Sequence, residues 1–297
     1  MSMMIRAAAL SKRNEGEGSV DSAVIAAENC IKKAGIDKQD IDLLINTGIY
    51  KEENIAEPAM SALIQKKLGL SLDPGTDKTD KSTLSFDLFN GACGFLYAAQ
   101  VADSFIRNHE RKLVLIVSSE VHPSKKLVPE FPYSHIGSAV ILEESEKEGR
   151  GFRSFVFETS KRGSKSYMGY LDLKAYGPRG RYLVNIDIAP DYYEKLEKHT
   201  LGVIKEHIKS GEINPSEIKL IITSQSIPGF GEKISKSTGL KGIKSISTYK
   251  EFGNAFSSDL VIGYCMANKD GILKKGDKVL FVGAGSGLTA ALAVYEA

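Results

Sequence analysis

The sequence predicts an α/β fold built from two similar halves. Three observations carry that reading. Short, mostly apolar runs such as "IDLLINTG" (41–48) and "RKLVLIVSSE" (111–120) have the length and composition of fully buried strands. Segments with helical spacing alternate with them. The order of these pieces then occurs twice. "DKQDIDLLINTG" is answered by "NPSEIKLIITSQ", and "SALIQKKLGL" by "GEKISKSTGL". "FDLFNGACGFLYAAQ" is answered by "EFGNAFSSDLVIGYCMAN", and "ERKLVLIVSSE" by "GDKVLFVGAGS". Four pairs in one order indicate internal duplication. The halves are expected at 1–165 and 166–297.

In chain order, "SVDSAVIAAENCIKKAG" (19–35) is an amphipathic helix, with Val24, Ala27, Ile31 and Ala34 on one face and Ser19 or Asp21 as candidate caps. The strand at 41–48 follows. A second helix at 58–70 stops at Gly69, and a polar loop is expected at 73–81. The stretch at 85–103 tightens at Asn90-Gly91 and runs into a buried helix. Strands at 111–120 and 136–145 complete the first half. A basic, glycine-bearing excursion at 160–182 leads to a long helix at 191–211. The second set of elements then ends in a strand at 288–297. Loops at 89–94, 224–230, 253–255 and 283–287 follow strands or precede buried helices, so they are expected to converge on one pocket.

Composition narrows the function classes. The chain has 297 residues, 42% hydrophobic and 26% charged, with a net charge of +2. This is the profile of a folded protein without the concentrated basic face that nucleic acid requires. No apolar run approaches the roughly 20 residues that span a bilayer, and the N-terminal apolar stretch is too short for a secretory signal. Cys30, Cys93 and Cys265 are widely spaced and form neither a disulfide framework nor a metal-ligand pattern. A cytoplasmic setting is expected, with no bound cofactor or metal.

"FDLFNGACGFLYAAQVADSFI", "FGNAFSSDLVIG" and "GILKKGDKVLFVGAGSGLTAALAV" resemble the thiolase superfamily, in its β-ketoacyl-acyl carrier protein synthase III branch. The resemblance implies a five-layer αβαβα sandwich of two duplicated halves. It also implies a homodimer, or a heterodimer with a related subunit. Its substrates would be thioesters of coenzyme A or of the phosphopantetheine of acyl carrier protein. In that family a cysteine accepts an acyl group, and a histidine and an asparagine assist decarboxylative condensation.

Matched position by position, the chain departs from the pattern. Phe86-Asp87 and Gly94-Phe95 anchor the nucleophile motif without a gap, which puts Ala92 where the family has its cysteine. Cys93 lies one residue later. Ser224 stands at the histidine position, Asn254 keeps the asparagine position, and Ser286 lies in the final glycine cluster whose N–H polarises the thioester carbonyl. Decarboxylation without the histidine is therefore doubtful. The resemblance also implies that the family's first strand and early helix are shortened or absent here, and the chain has no tryptophan to hold an adenine.

Cys93 has two readings, an acylated thiol with a pKa lowered by the following helix N-terminus, or a small buried residue. Asn254 is either a donor to a thioester oxygen or a helix cap. His122 and His135, on the crossover between two strands, are the candidates to replace the missing base. Lys233, Lys236, Lys241 and Lys244 are either a face for an acidic carrier protein or coenzyme A phosphates, or a solvated surface. Two functions follow: an acyltransferase using Cys93, Asn254 and Ser286, or a non-catalytic thiolase-fold binding protein or silent subunit of a heteromeric condensing enzyme.

Overall fold

Two five-stranded sheets and the helices that cover them form the fold in a computed structural model, which describes residues 2–71, 82–108, 112–147, 149–161, 163 and 166–297. The expected loop at 73–81 lies outside the described residues. The first half contains β1 (Ser2–Leu10), α1 (Ser19–Ala34), β2 (Leu43–Asn46), α2 (Met60–Leu68), β3 (Leu84–Asp87), α3 (Gly94–Arg107), β4 (Leu113–Ser119) and β5 (Gly137–Ser145). The second contains β6 (Gly151–Thr159), β7 (Tyr167–Tyr170), α4 (Leu173–Tyr176), β8 (Asn185–Ile188), α5 (Tyr192–Lys209), β9 (Ile218–Thr223), α6 (Phe230–Ser237), β10 (Lys244–Ile246), α7 (Tyr249–Phe252), α8 (Asp259–Lys269), β11 (Lys278–Gly285) and β12 (Thr289–Glu296).

The first sheet runs β1-β5-β4-β2-β3 and the second β6-β12-β11-β9-β10, so each strand has a counterpart at the same place in the other sheet. Helices α1 and α2 cover the outer face of the first sheet, around Ala27, Ile64, Leu115 and Ile141. Helices α5 and α6 do the same for the second, around Leu196, Ile234, Leu280 and Leu292. Between the sheets lie α3 and α8, with Phe95, Ala99 and Leu260 packed against Ile45, Ile116, Ile222 and Phe281. This is the five-layer sandwich.

Three local expectations change. Strand β1 pairs antiparallel with β5 from Ser2↔Ser145 to Leu10↔Ser138, although "IRAAAL" carries little strand preference of its own. Burial against the sheet overrides propensity there. Strand β6 pairs with β12 in the second sheet, so by strand membership the second half already includes Gly151–Thr159, ahead of the expected boundary at 165/166. Neither Ser19 nor Asp21 caps α1, because Gly18 occupies the cap position. The Glu52 carboxylate, arriving from the loop after β2, accepts from Ser19 N at 2.8 Å and Ser19 Oγ at 2.5 Å instead.

A buried carboxyl joins the halves. Glu120, just past β4, has Oε2 2.7 Å from Tyr50 N and 3.1 Å from Ile49 N, and Oε1 2.5 Å from Ser257 Oγ on the other half. Burial pushes its pKa up to about 8, against the lowering effect of those hydrogen bonds. Because the folded value lies above the unfolded one of about 4.3, its contribution to stability is full below that pH and is lost as pH rises through 8. Glu120→Gln, which keeps one acceptor and one donor, is expected to match the parent in denaturant unfolding at pH 5 and to exceed it at pH 9. Equal loss of stability in both proteins across that range would contradict this.

Candidate active site

The family-matching turn is a 3-10 segment, Gly91–Cys93, that feeds directly into α3. Gly91 has φ +48°, and a Cβ there would come within 2.5 Å of Phe256 Cζ, so glycine is required both by conformation and by space. The two residues after it face different surroundings. Ala92, 2% exposed, packs with Tyr50, Tyr133 and Phe256. Tyr133 stacks on Phe256 at 4.3 Å and on Tyr50 at 5.2 Å, while Phe131 meets Tyr50 and Tyr133 edge-on. Tyr167, from β7, lies parallel to Phe256 at 6.4 Å. An aromatic layer thus covers the Ala92 methyl.

Cys93 belongs to the inter-sheet core. It is 0% exposed, and its Sγ is 3.7 Å from the Thr289 carbonyl oxygen. Gly283 and Gly285 of β11 make room for it: a Cβ on either would lie 3.3 or 3.1 Å from the sulfur. Burial pushes the thiol pKa up to about 12, the opposite of the lowering expected from a helix N-terminus, because the apolar surroundings disfavour a thiolate.

The other matched positions are held by the chain itself. Ser224 is fully buried; its Oγ accepts from Ala284 N at 3.0 Å, extending the β9–β11 ladder. Gln225 N donates to Asp259 at 2.8 Å, and burial raises the Asp259 pKa to about 7. Asn254 Oδ1 accepts from Phe256 N at 3.0 Å. That bond supports Phe256 in the left-handed region, at φ +51°, a conformation unusual for a bulky residue. Ser286 is half-buried in the turn between β11 and β12, next to Gly285 and its contact with Cys93. The Gly91–Cys93 turn therefore meets Phe256, just past loop 253–255, on one side and Gly283–Gly285 on the other, while loop 224–230 is tied to Ala284 through Ser224 and to Asp259 through Gln225.

His122 and His135 form a separate group. His135 Nε2 lies 2.5 Å from Ser22 Oγ, and His122 Nδ1 lies 2.8 Å from Ser124 Oγ, with the His122 ring edge-on to Phe131 at 5.4 Å. Burial lowers both pKa values. Lys233, Lys236, Lys241 and Lys244 are all exposed, Lys233 pairing with Glu197 at 2.6 Å. Among the described residues no three His, Cys, Asp or Glu side chains are grouped to hold a metal ion, and no helix is long and apolar enough to cross a membrane. Sequence reasoning missed the aromatic layer. Its signal is Phe256, a large aromatic two residues past Asn254 in "FGNAFSSDLVIG".

Residues 208–297 match the family model described as 3-oxoacyl-[acyl-carrier-protein (ACP)] synthase III C terminal. Over 287 residues the chain is 28% identical to β-ketoacyl-[acyl-carrier-protein] synthase III of Clostridium perfringens, covering 92% of this chain and 83% of that one. The chain is thus similar, over nearly its whole length, to proteins named β-ketoacyl-[acyl-carrier-protein] synthase III. The protein of the same name from Helicobacter pylori is 24% identical over 296 residues, covering 93% and 82%. Among solved structures, 3-oxoacyl-(acyl carrier protein) synthase III of Pseudomonas aeruginosa superposes with a TM-score of 0.80 at 16% identity, covering 100% of this chain and 98% of that one. Xanthomonas campestris OleA with bound lauric acid and lauroyl-CoA gives 0.78 at 17%, covering 100% and 99%. These structural likenesses show the fold. The synthase-III-like pattern puts Ala92, Ser224 and Asn254 at the reactive positions, where this structure has a methyl, a sheet hydroxyl and a turn-forming amide.

Gly91→Ala places a methyl against the Phe256 ring at positive φ. It is expected to destabilise the fold by about 1–3 kcal/mol in chemical denaturation. Gly91→Ala combined with Phe256→Ala should lose less than the sum of the two single losses, since the clash disappears with the ring. A Gly91→Ala protein as stable as the parent would show that the turn is not built as described.

Proposed function

We propose that this synthase-III-like chain acts in acyl-thioester metabolism as a non-catalytic subunit, partnering a related condensing enzyme. The observation that carries this reading is the pair Ala92 and Cys93. Position 92 presents a methyl beneath Tyr50, Tyr133 and Phe256, and the neighbouring sulfur is sealed in the core with its pKa pushed up. A nucleophile must be reachable and ionisable, and neither residue meets both conditions. Ser224 adds no base. Asn254 and Ser286 stand where the resemblance matches the thioester-polarising donors, so acyl-coenzyme A or acyl carrier protein remains the substrate class in this proposal. No step of covalent transfer is assigned to this chain.

The partner role draws on the first sheet. Among the described residues strand β3 is its edge, pairing with β2 alone; Leu84, 41% exposed, lies on it and Phe89, 48% exposed, just past it. An edge carrying exposed apolar residues needs cover to avoid indiscriminate pairing. A related subunit, or a second copy, provides it.

Incubation with acetyl-, butyryl- and octanoyl-coenzyme A, followed by intact-protein mass measurement, is expected to leave the chain unmodified. Ala92→Cys should also stay unmodified, because the new thiol lies under the aromatic layer with serine at the base position. An acyl adduct mapped to Cys93 and absent in Cys93→Ser would replace this reading with the acyltransferase one.

A further inference from the structure

We propose that a cavity apart from the Ala92 turn binds a small carboxylate-bearing molecule with an apolar body. The cavity, about 220 Å³, lies between residues 14–17 and the β4–β5 connection at 121–135. That is room for about seven waters, or for a short-chain or single-ring acid. Val128, Phe131 and Tyr133 give it an apolar side, and the exposed Lys125 and Lys126 stand at its rim.

His122 supplies the specific donor. It lines the cavity and is 8% exposed. Its Nδ1 accepts from Ser124 N at 3.2 Å. With Nδ1 as acceptor the ring proton sits on Nε2, and burial favours that neutral ring. No described residue takes up the Nε2–H. The Nε2–H, at the accessible edge of a ring that lines the cavity, is free for water or for a ligand acceptor. Lys125 lowers the pKa of Asp21, but Asp21 is already paired with Lys67, so its charge is not consumed there. Against these donors stand two carboxylates, Glu17 in the lining and Glu130, whose charge acts on His122. The two rim lysines offset those carboxylates and leave the His122 N–H to select an acceptor-bearing head. The aromatic side, set away from the charged rim, selects an apolar tail.

The inference does not rest on the reading of the Ala92 turn and stands if that turn proves reactive. Phe131 and Tyr133, however, belong both to the cavity wall and to the layer over Ala92, so a bound ligand touches that layer directly.

The test is titration of the ¹⁵N-labelled chain with hexanoate and benzoate, with hexanamide, benzamide and inorganic phosphate as comparison probes. The signals followed are the His122 side chain and the amides of residues 121–135. The acids are expected to shift these signals saturably, and the amides to bind at least about tenfold more weakly, as the loss of a charged hydrogen-bond acceptor implies. His122→Phe keeps the ring contact with Phe131 and should weaken hexanoate about tenfold. If His122→Phe does not fold, Lys125→Gln/Lys126→Gln, at exposed positions, carries the same expectation. No saturable shift with either acid up to on the order of 10 mM would overturn the proposal. So would equal binding of acids and amides, or phosphate binding as tightly as hexanoate.

Discussion

Each half of this protein inserts a 3-10 turn against the central strand of the other, and the rest of the structure depends on that reciprocal packing. Gly91–Cys93 lays its sulfur on Gly283 and Gly285 of β11. Phe256–Ser258, its counterpart, puts Ser258 Oγ 2.8 Å from Ser118 on β4 and 3.1 Å from Ser138 on β5. Both turns open with a residue at positive φ, Gly91 at +48° and Phe256 at +51°, and both lead straight into an inter-sheet helix. Cys93 and Ser258 are thus equivalent members of one interface. A small side chain that can reach a carbonyl or hydroxyl suits each position, which accounts for a cysteine here without invoking chemistry.

The same packing explains why the space around residue 92 is filled. Phe256 sits on Gly91 and stacks with Tyr133, and Asn254 spends its side-chain oxygen holding the backbone that puts Phe256 there. Glu120 ties the next layer: it fastens the loop bearing Tyr50 to Ser257, so the aromatic cover is anchored from both halves. A close-packed aromatic layer gains stability from burial and ring geometry, but it occupies the space around residue 92. Stability of the inter-half contact and openness at that position compete, and in this chain the contact prevails.

Sequence alone determined the duplication, because buried parallel strands and inter-sheet helices leave long apolar runs whose order can be compared directly. It also aligned Ala92, Ser224 and Asn254 with reactive family positions, because Phe86-Asp87 and Gly94-Phe95 admit no gap. Strand β1 escaped it: an alanine-rich segment becomes a strand only when a sheet edge is present to pair with it. The direction of the Cys93 sulfur escaped it as well. A one-residue step on a 3-10 turn moves a side chain from the aromatic layer to the core, and only the glycines of β11, nearly 200 residues away in the chain, decide which side has room.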